Sequence, residues 1–153
     1  GSGKSTFVKN LLGLLKPTSG EILYDGKNIY NNIPEWHKTI GYIPQKIYLL
    51  DESIKNNIAF GLNDENINEE KLREVIKLSN LENFIETLPD SLNTTVGNQG
   101  SNISGGQLQR IGIARALYSS PKILIMDEAT NSLDEETERK VIESINKINQ
   151  IRY

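Results

Sequence analysis

Gly1-Ser2-Gly3-Lys4-Ser5-Thr6 opens the sequence and runs directly into an apolar helical pattern. It matches the last part of the pattern G-x-x-x-x-G-K-[ST]. Glycines let the backbone bend so that successive N–H groups face one point, and the positive end of the following helix is directed there too. The stretch predicts a phosphate-binding loop in which Lys4 neutralises phosphate charge and the Ser5 hydroxyl binds Mg²⁺. A glycine-rich helix start with a solvated lysine is the alternative interpretation.

A second stretch, Ile123-Leu124-Ile125-Met126-Asp127-Glu128, is a short apolar run that ends in two carboxylates. Its length and composition predict a buried parallel strand. Ligands collect outside the carboxyl ends of strands in open α/β sheets, so we expect chemistry at this end. Asp127 is predicted to hold Mg²⁺ through its water shell, and Glu128 to accept a proton from the attacking water as the general base. A strand that simply meets solvent at an acidic turn remains the alternative.

The segment Ser104-Gly105-Gly106-Gln107 stands at the start of a predicted helix. Ser104 and Gln107 have the spacing of a capping box. That spacing does not explain the glycine pair, which is costly in the first turn of a helix. Glycines there permit close approach of a ligand, and a helix N-terminus attracts an anion. The segment therefore predicts a second phosphate site.

Apolar periodicity and turn residues predict the remaining elements. We expect a helix over residues 4–15, a hairpin over 21–29, a strand over 39–44, helical structure from 53 to about 83, and helices over 104–119 and about 135–149. Strands and helices alternate at both ends, with a helical insertion between them. The predicted fold class is α/β, with a P-loop NTPase core (1–45 and 120–153) containing a parallel sheet and an inserted α-helical subdomain (about 46–119).

Composition narrows the function classes. The chain has 153 residues, of which 37% are hydrophobic and 24% charged, as is usual for a globular domain. A net charge of -3 gives no electrostatic reason to expect nucleic acid as a partner. No apolar run is long enough to cross a bilayer, so we expect membrane association to require a partner. The chain starts inside the phosphate loop and ends without a stop signal, and we interpret it as part of a longer domain.

The segment from Ser104, continued by Leu-Gln-Arg-Ile-Gly-Ile-Ala-Arg-Ala-Leu, resembles the signature of ABC ATPases. Gln45 in Tyr-Ile-Pro-Gln resembles the Q-loop of that family, and Asn-Ser-Leu-Asp134 resembles its D-loop. The motifs follow one another in the order typical of the family and span essentially the whole chain. The chain is therefore similar to the ATP-binding cassette of an ABC transporter.

This resemblance implies ATP and Mg²⁺ as ligands. The phosphates are then bound by Gly1, Ser2, Gly3, Lys4, Ser5 and Thr6. The metal is bound by Ser5, Gln45 and Asp127. Gln45 also contacts the attacking water beside the catalytic Glu128. Ser104, Gly105, Gly106 and Gln107 contact ATP bound by a partner subunit, and Asp134 lies at the interface between the two subunits.

The same resemblance implies two kinds of partner. One is a second nucleotide-binding domain in a head-to-tail dimer, and the other is a set of transmembrane domains, on the same chain or a separate one. The implied location is the cytoplasmic face of a membrane. Residues 53–61 and 95–100 resemble exporter cassettes, although Asn98 stands where the family usually has Glu.

Two family features are missing from these residues, namely the aromatic residue that stacks on adenine and the switch histidine. His37 is the only histidine and comes too early in the chain. With Trp36 beside it, we predict a surface turn for His37, and strand packing rather than base stacking for Tyr42.

Two other functions stay open at this point. One is a soluble ABC ATPase that acts on nucleic acid or in translation, against which the acidic balance and the exporter-like stretches argue. The other is a chain that binds the nucleotide without hydrolysing it. A different P-loop enzyme, such as a kinase, would lack the Ser-Gly-Gly-Gln segment.

Overall fold

The structure, a computed structural model, describes residues 3–97, 103–127 and 135–150. Helices and short strands alternate along these segments, as predicted for an α/β chain. In chain order the elements are α1 (Lys4–Leu11), β1 (Leu23–Tyr24), β2 (Lys27–Asn28), α2 (Ile33–Thr39), β3 (Ile40–Ile43), α3 (Ile54–Ile58), α4 (Glu69–Leu78), α5 (Glu82–Glu86), α6 (Gly105–Tyr118), β4 (Ile123–Met126) and α7 (Glu135–Gln150).

Helix α1 is one turn shorter than predicted and ends at Leu11. Gly13 adopts the left-handed conformation, with φ of 71°. Its N–H donates to the Asn10 carbonyl and the N–H of Leu14 donates to the Lys9 carbonyl, both at 2.9 Å. These two bonds form a Schellman motif, which satisfies the last carbonyls and stops the helix. The helix therefore ends because of Gly13, earlier than the apolar pattern indicated.

The apolar stripe predicted on α1 is only partly buried. Leu12 is buried and Val8 and Leu11 are half-buried, whereas Phe7 is 63% exposed and Leu15 is also exposed. The hydrophobic cluster that receives Val8 and Leu12 lies on one side of the helix. The other side of the stripe has no packing partner in the part of the chain that the structure describes.

The predicted hairpin forms between β1 and β2. The strands pair antiparallel, with Leu23 opposite Asn28 and Tyr24 opposite Lys27. Asp25 and Gly26 have φ of 49° and 73°. Positive φ at both central residues is the geometry of a type I′ turn, which suits the twist of a two-residue hairpin. This prediction is confirmed.

Strands β3 and β4 pair in parallel, as predicted for the apolar run before Asp127. The register pairs Ile40 with Ile123 and Ile43 with Met126. One more backbone bond continues the ladder at its carboxyl end, where the Asp127 N–H donates to the Ile43 carbonyl at 3.0 Å. The carboxyl ends of the two strands therefore lie at the same edge of the sheet.

This two-stranded sheet separates two hydrophobic clusters. Ile123 and Ile125 pack into the smaller cluster, with α1, α2 and the hairpin, while Leu124 packs into the larger one. The larger cluster contains buried side chains of α3 to α7 and the loops between them. Alternate residues of a strand point to opposite faces, so β4 contacts both cores. The division into subdomains near residues 46 and 119 stays a prediction.

Strand β4 is less buried than the sequence indicated. Its first three residues are half-buried and Met126 is 44% exposed. Within the described residues β4 pairs only with β3, which leaves its other edge uncovered. A fully buried parallel strand needs neighbours on both edges and both faces.

Helix α7 covers the predicted range, but its predicted apolar face is buried in part. Val141 is fully buried and Ile145 packs against the larger cluster, whereas Ile142 is exposed. The side chain of Ile148 lies outside the described side chains. None of the helices in the described segments combines the length and apolar composition needed to cross a bilayer.

Gly41 allows three elements to meet and provides a test of this packing. A Cβ atom on Gly41 would lie 2.8 Å from Pro121 Cγ and 2.9 Å from the Ala116 carbonyl oxygen. Because one of these neighbours is backbone, we expect Gly41→Ala to lower the free energy of unfolding by about 2 kcal/mol. Urea unfolding measures the change, with Glu70→Ala on the exposed face of α4 as control. Equal stability of both variants would contradict the packing described.

Candidate functional site

The candidate site lies at the carboxyl edge of the β3–β4 sheet. Asp127 directly follows β4, and Gln45 comes two residues after β3. Since Ile43 is paired with Met126, the parallel register brings both site residues to one edge. Gln45 is exposed and Asp127 is half-buried. This edge is where α/β sheets collect their ligands, so the position agrees with the sequence prediction.

Tyr42 adds an electrostatic link to this edge. Burial raises the pKa of the Tyr42 hydroxyl, and the negative charge of Asp127 raises it further. The ring packs against the smaller cluster, which confirms the prediction of strand packing for this residue. Loss of the phenol proton is therefore disfavoured at this edge of the sheet.

The phosphate loop is described from Gly3 onward. Gly3 caps α1 with φ of 75° and ψ of -2°, in the left-handed region. Lys4, Ser5 and Thr6 form the exposed first turn. Apart from Gly3, its neighbours and its own helix, no atom of the described residues lies within 4 Å of the position of a Cβ on Gly3. Backbone N–H groups of a first turn have no partner within the helix. The open left-handed glycine followed by an eight-residue helix fits a phosphate ligand.

The opposite end of α1 is held by aromatic side chains. Trp36 Nε1 and His37 Nε2 each donate a hydrogen bond of 2.8 Å to the carbonyls of Leu11 and Leu12 respectively. His37 is exposed, as predicted, but it lies in the last turn of α2 and not in a surface turn. The two bonds fix α2 against the end of α1 that lies opposite the phosphate loop.

Helix α6 begins with the predicted capping box. The Ser104 hydroxyl accepts from the Gln107 N–H at 3.2 Å, and Gln107 Oε1 accepts from the Ser104 N–H at 2.9 Å. Gly105 is exposed and Gly106 is half-buried in the first turn. The capping prediction is confirmed. The reciprocal bonds hold the helix start rigid, while the glycine pair leaves its backbone approachable.

Arg110 is a positioning residue that the sequence analysis missed. Its Nε donates to the Gly106 carbonyl at 3.3 Å, and its Nη1 donates to the Asn80 carbonyl at 2.7 Å. Asn80 follows α4, so these bonds join the start of α6 to the end of another helix. An arginine one turn after paired glycines is the only local signal that was available.

The loop after Gln45 contains further residues that the sequence analysis missed. Ile47 is buried against α6, at the point where Gly112 has no side chain. Arg115, also on α6, donates to the Tyr48 carbonyl at 3.0 Å and to buried Asn57. The loop that carries Gln45 is thus fastened to the helix that carries Ser104.

Several predicted site residues lie outside the described residues. They are Gly1, Ser2, Glu128 and Asp134, together with Asn98 of the exporter-like loop. Their predicted roles, like those of the other site residues, stay predictions.

Comparison with known proteins gives one consistent family. The family model described as ABC transporter matches residues 1–131. The chain is 44% identical over 149 residues to "ABC transporter B family member 21" of Arabidopsis thaliana, which covers 97% of the chain and 11% of that protein. It is 42% identical over 149 residues to "Multidrug resistance ABC transporter ATP-binding and permease protein" of Lactococcus lactis, with 97% and 25% covered.

A solved structure agrees with these relatives. The fold is similar to that of a bacterial Atm1-family ABC exporter with ATP bound, with a TM-score of 0.88 and 33% sequence identity. The match covers 97% of this chain and 26% of the exporter chain. The chain therefore spans about a quarter or less of the length of these relatives.

Tyr42 gives the site a pH dependence with a definite sign. Because the folded state raises the pKa of the hydroxyl, folding favours the protonated phenol. This contribution to stability is present below the ordinary tyrosine value of 10.0 and is lost as the pH rises through the raised pKa. We expect Tyr42→Phe to lose less stability than the unmodified chain between neutral pH and alkaline pH. Urea unfolding at the two pH values measures this, and parallel losses would contradict it.

Proposed function

Because the chain belongs to the ABC transporter family, we propose that it binds and hydrolyses ATP as the nucleotide-binding domain of an exporter. The observation that carries this proposal is the parallel register of β3 and β4, which brings Gln45 and Asp127 to one edge. The open left-handed Gly3 at the start of α1 supports a phosphate ligand in the same chain.

Lys4 to Thr6 bind the phosphates in this proposal. Lys4 neutralises charge on the β- and γ-phosphates, and the first-turn N–H groups of α1 donate to phosphate oxygens. Gly1 and Ser2 complete the loop. Left-handed Gly3 lets the backbone turn toward the phosphates without the steric cost that a side chain would add.

Ser5, Gln45 and Asp127 are proposed to hold Mg²⁺, whose charge stabilises the phosphates of the substrate. Hydroxyl, amide and carboxylate oxygens are the ligand types that this ion prefers. Glu128 accepts the proton of the attacking water, and Gln45 orients that water. The raised pKa of Tyr42 keeps its hydroxyl protonated at this edge of the sheet.

Ser104, Gly105, Gly106 and Gln107 are proposed to contact ATP held by a second nucleotide-binding domain. The exposed, capped start of α6 supports this role, since its N-terminal dipole attracts an anion. A head-to-tail dimer then contains two such composite sites, with Asp134 at the interface. ATP favours the closed dimer because both subunits contact it there.

The soluble alternative is not favoured. The relatives are named as exporters, multidrug resistance proteins and permeases, and the chain has a net charge of -3. A nucleic-acid-binding domain typically shows a basic face. The chain spans about a quarter or less of its relatives, so we propose that it is part of a longer natural polypeptide and that this polypeptide hydrolyses ATP.

Transmembrane domains are the second proposed partner, which places the chain at the cytoplasmic face of a membrane. Three exposed apolar residues lie near Arg115, and we call them the aromatic patch: Tyr48, Phe60 and Leu62. The Arg115 guanidinium lies 5.2 Å from the centre of the Phe60 ring and bonds to the Tyr48 carbonyl. Contiguous exposed apolar surface marks an interaction site.

Nucleotide binding and hydrolysis are separable by two variants of the natural polypeptide. Lys4→Ala leaves phosphate charge uncompensated, so we expect ATP affinity to fall by about tenfold or more. Glu128→Gln keeps the shape of the site but removes the base, so ATP stays bound while turnover falls by about 100-fold or more. Size-exclusion chromatography with ATP should then show a stable dimer for the second variant only. Normal turnover of Glu128→Gln would remove this residue from the mechanism.

The aromatic patch is testable by thiol labelling, because the 153 residues contain no cysteine. Phe60 and Leu23 are each 56% exposed, but only Phe60 belongs to the patch. In the natural polypeptide in its membrane, we expect Phe60→Cys to react several-fold more slowly with a maleimide than Leu23→Cys. Mass spectrometry of the labelled peptides measures both rates. Equal rates would show that the patch is uncovered and would contradict the proposed docking surface.

A further inference from the structure

The loop after Gln45, residues 46–53, is pressed directly against α6. A Cβ atom on Gly112 would lie 2.7 Å from Cγ1 of buried Ile47, closer than atoms can approach. Glycine at this position therefore lets the Ile47 side chain of the loop pack directly on the helix backbone. The contact lies two residues beyond Gln45 in the chain.

Arg115 adds a polar attachment one turn further along α6. Its Nη1 donates to the Tyr48 carbonyl at 3.0 Å, its Nε to the Asn57 carbonyl at 2.7 Å, and its Nη2 to Asn57 Oδ1 at 3.1 Å. Burial lowers the pKa of this guanidinium, but an arginine stays charged at neutral pH. One planar side chain thus joins the loop, α3 and α6.

Asn57 of α3 also attaches the loop, through hydrogen bonds to the loop backbone. Its side chain is fully buried, and the two hydrogens of Nδ2 are shared among the carbonyls of Leu50, Glu52 and Ser53 at 3.1, 3.3 and 3.1 Å. Oδ1 accepts from the Leu50 N–H at 2.9 Å. A buried polar network in which both amide atoms have partners is rigid, because any displacement leaves a polar group unsatisfied.

We propose that Asn57 and Arg115 are positioning residues, which make the loop after Gln45 and helix α6 move as one body. The inference rests on the proposed function. In that function Gln45 contacts the metal and water of one site, while Ser104 to Gln107 contact the ATP of the partner subunit. The two residues keep these groups in a fixed relation while the dimer closes.

The arrangement of α6 supports this role. Arg115 follows Ser104 by 11 residues, so the network lies about 16 Å along the helix from the capping box. The segment before the helix is tied to the same loop, since Val96 N–H donates to the Glu52 carbonyl at 2.9 Å and Ile54 N–H to the Thr94 carbonyl at 3.1 Å. The guanidinium of Arg115 lies over the ring of Phe60, so the network also contacts the aromatic patch.

The first test changes the geometry of the hydrogen-bond donor at position 115 but keeps its positive charge. Lysine keeps the charge, but its ammonium group cannot reproduce the planar fork that reaches three acceptors. For Arg115→Lys in the natural polypeptide we expect kcat for MgATP, counted per bound nucleotide, to fall about tenfold through misplacement of the reacting groups. KM should change by less than about twofold, because the phosphate loop is untouched. The control Arg73→Lys makes the same chemical change on the exposed face of α4.

A double variant tests whether the two residues act as a unit. Asn57→Ser and Arg115→Lys should each lower kcat. The kcat of the double variant should be no lower than that of the less active single variant. Multiplied losses would mean two independent effects and would overturn the inference. So would a fall in nucleotide binding that parallels the fall in kcat, because this is the result of lost folded protein.

A second readout does not depend on catalysis. Spin labels introduced by Glu52→Cys and Ser119→Cys occupy exposed positions on the loop and at the end of α6. We expect a narrow distance distribution by pulsed electron resonance, and a broader one after Arg115→Lys but not after Arg73→Lys. An unchanged width would overturn the inference whatever the ATPase rate. Absence of ATP hydrolysis in the unmodified polypeptide would instead overturn the proposed function and leave the distance test to decide on rigidity.

Discussion

The parallel pairing of β3 with β4 is the constraint on which the rest of the structure depends. The strands come from positions about 80 residues apart in the chain, yet their register fixes which side chains reach each face and each end. Isoleucines 123 and 125 enter one core and Leu124 enters the other. The same register sets Gln45 and Asp127 at one edge. A shift by one residue would exchange the faces and separate the two site residues.

Two glycines let α6 pack closely against β3 and against the loop that follows β3. Gly41 in β3 admits the Ala116 carbonyl and Pro121, while Gly112 in α6 admits Ile47. Both are positions where a methyl group would collide with atoms that are held on several sides. Packed interiors have few voids, so a large side chain at one position requires a small residue at the position it contacts. The helix is accordingly buried along most of its length after the first turn.

Helix α6 joins two kinds of chemistry at its two ends. Its start is exposed, capped by Ser104 and Gln107 and bordered by glycines, as suits a phosphate ligand. Its later turns carry Arg115, which is surrounded by backbone carbonyls and the Phe60 ring. A helix is stiff over this length. Under the proposed function, α6 therefore connects the proposed docking surface with the proposed nucleotide contact.

The sequence by itself determined the elements whose cause is local. The Asp25-Gly26 turn and the capping box of α6 each depend on neighbouring residues, and both form as predicted. The apolar run before Asp127 forms the predicted parallel strand, although it is less buried than expected. Much of the candidate site was predictable for the same reason, since phosphate and metal chemistry demands certain residue types at fixed spacing. The family resemblance extended this to the roles of Gln45 and Ser104.

Only the tertiary structure decided which apolar side chains are buried and which polar ones are paired. Phe7 and Ile142 fit their helical stripes but are exposed, because burial depends on a neighbouring element and not on periodicity. The bond from Arg115 to Asn57 spans 58 residues of sequence, and no sequence pattern predicts this pairing. Long-range pairs of this kind are determined by the packing of α3, α6 and the loop of residues 46–53. Local chemistry therefore determined the motifs, and the fold determined how those motifs are held together.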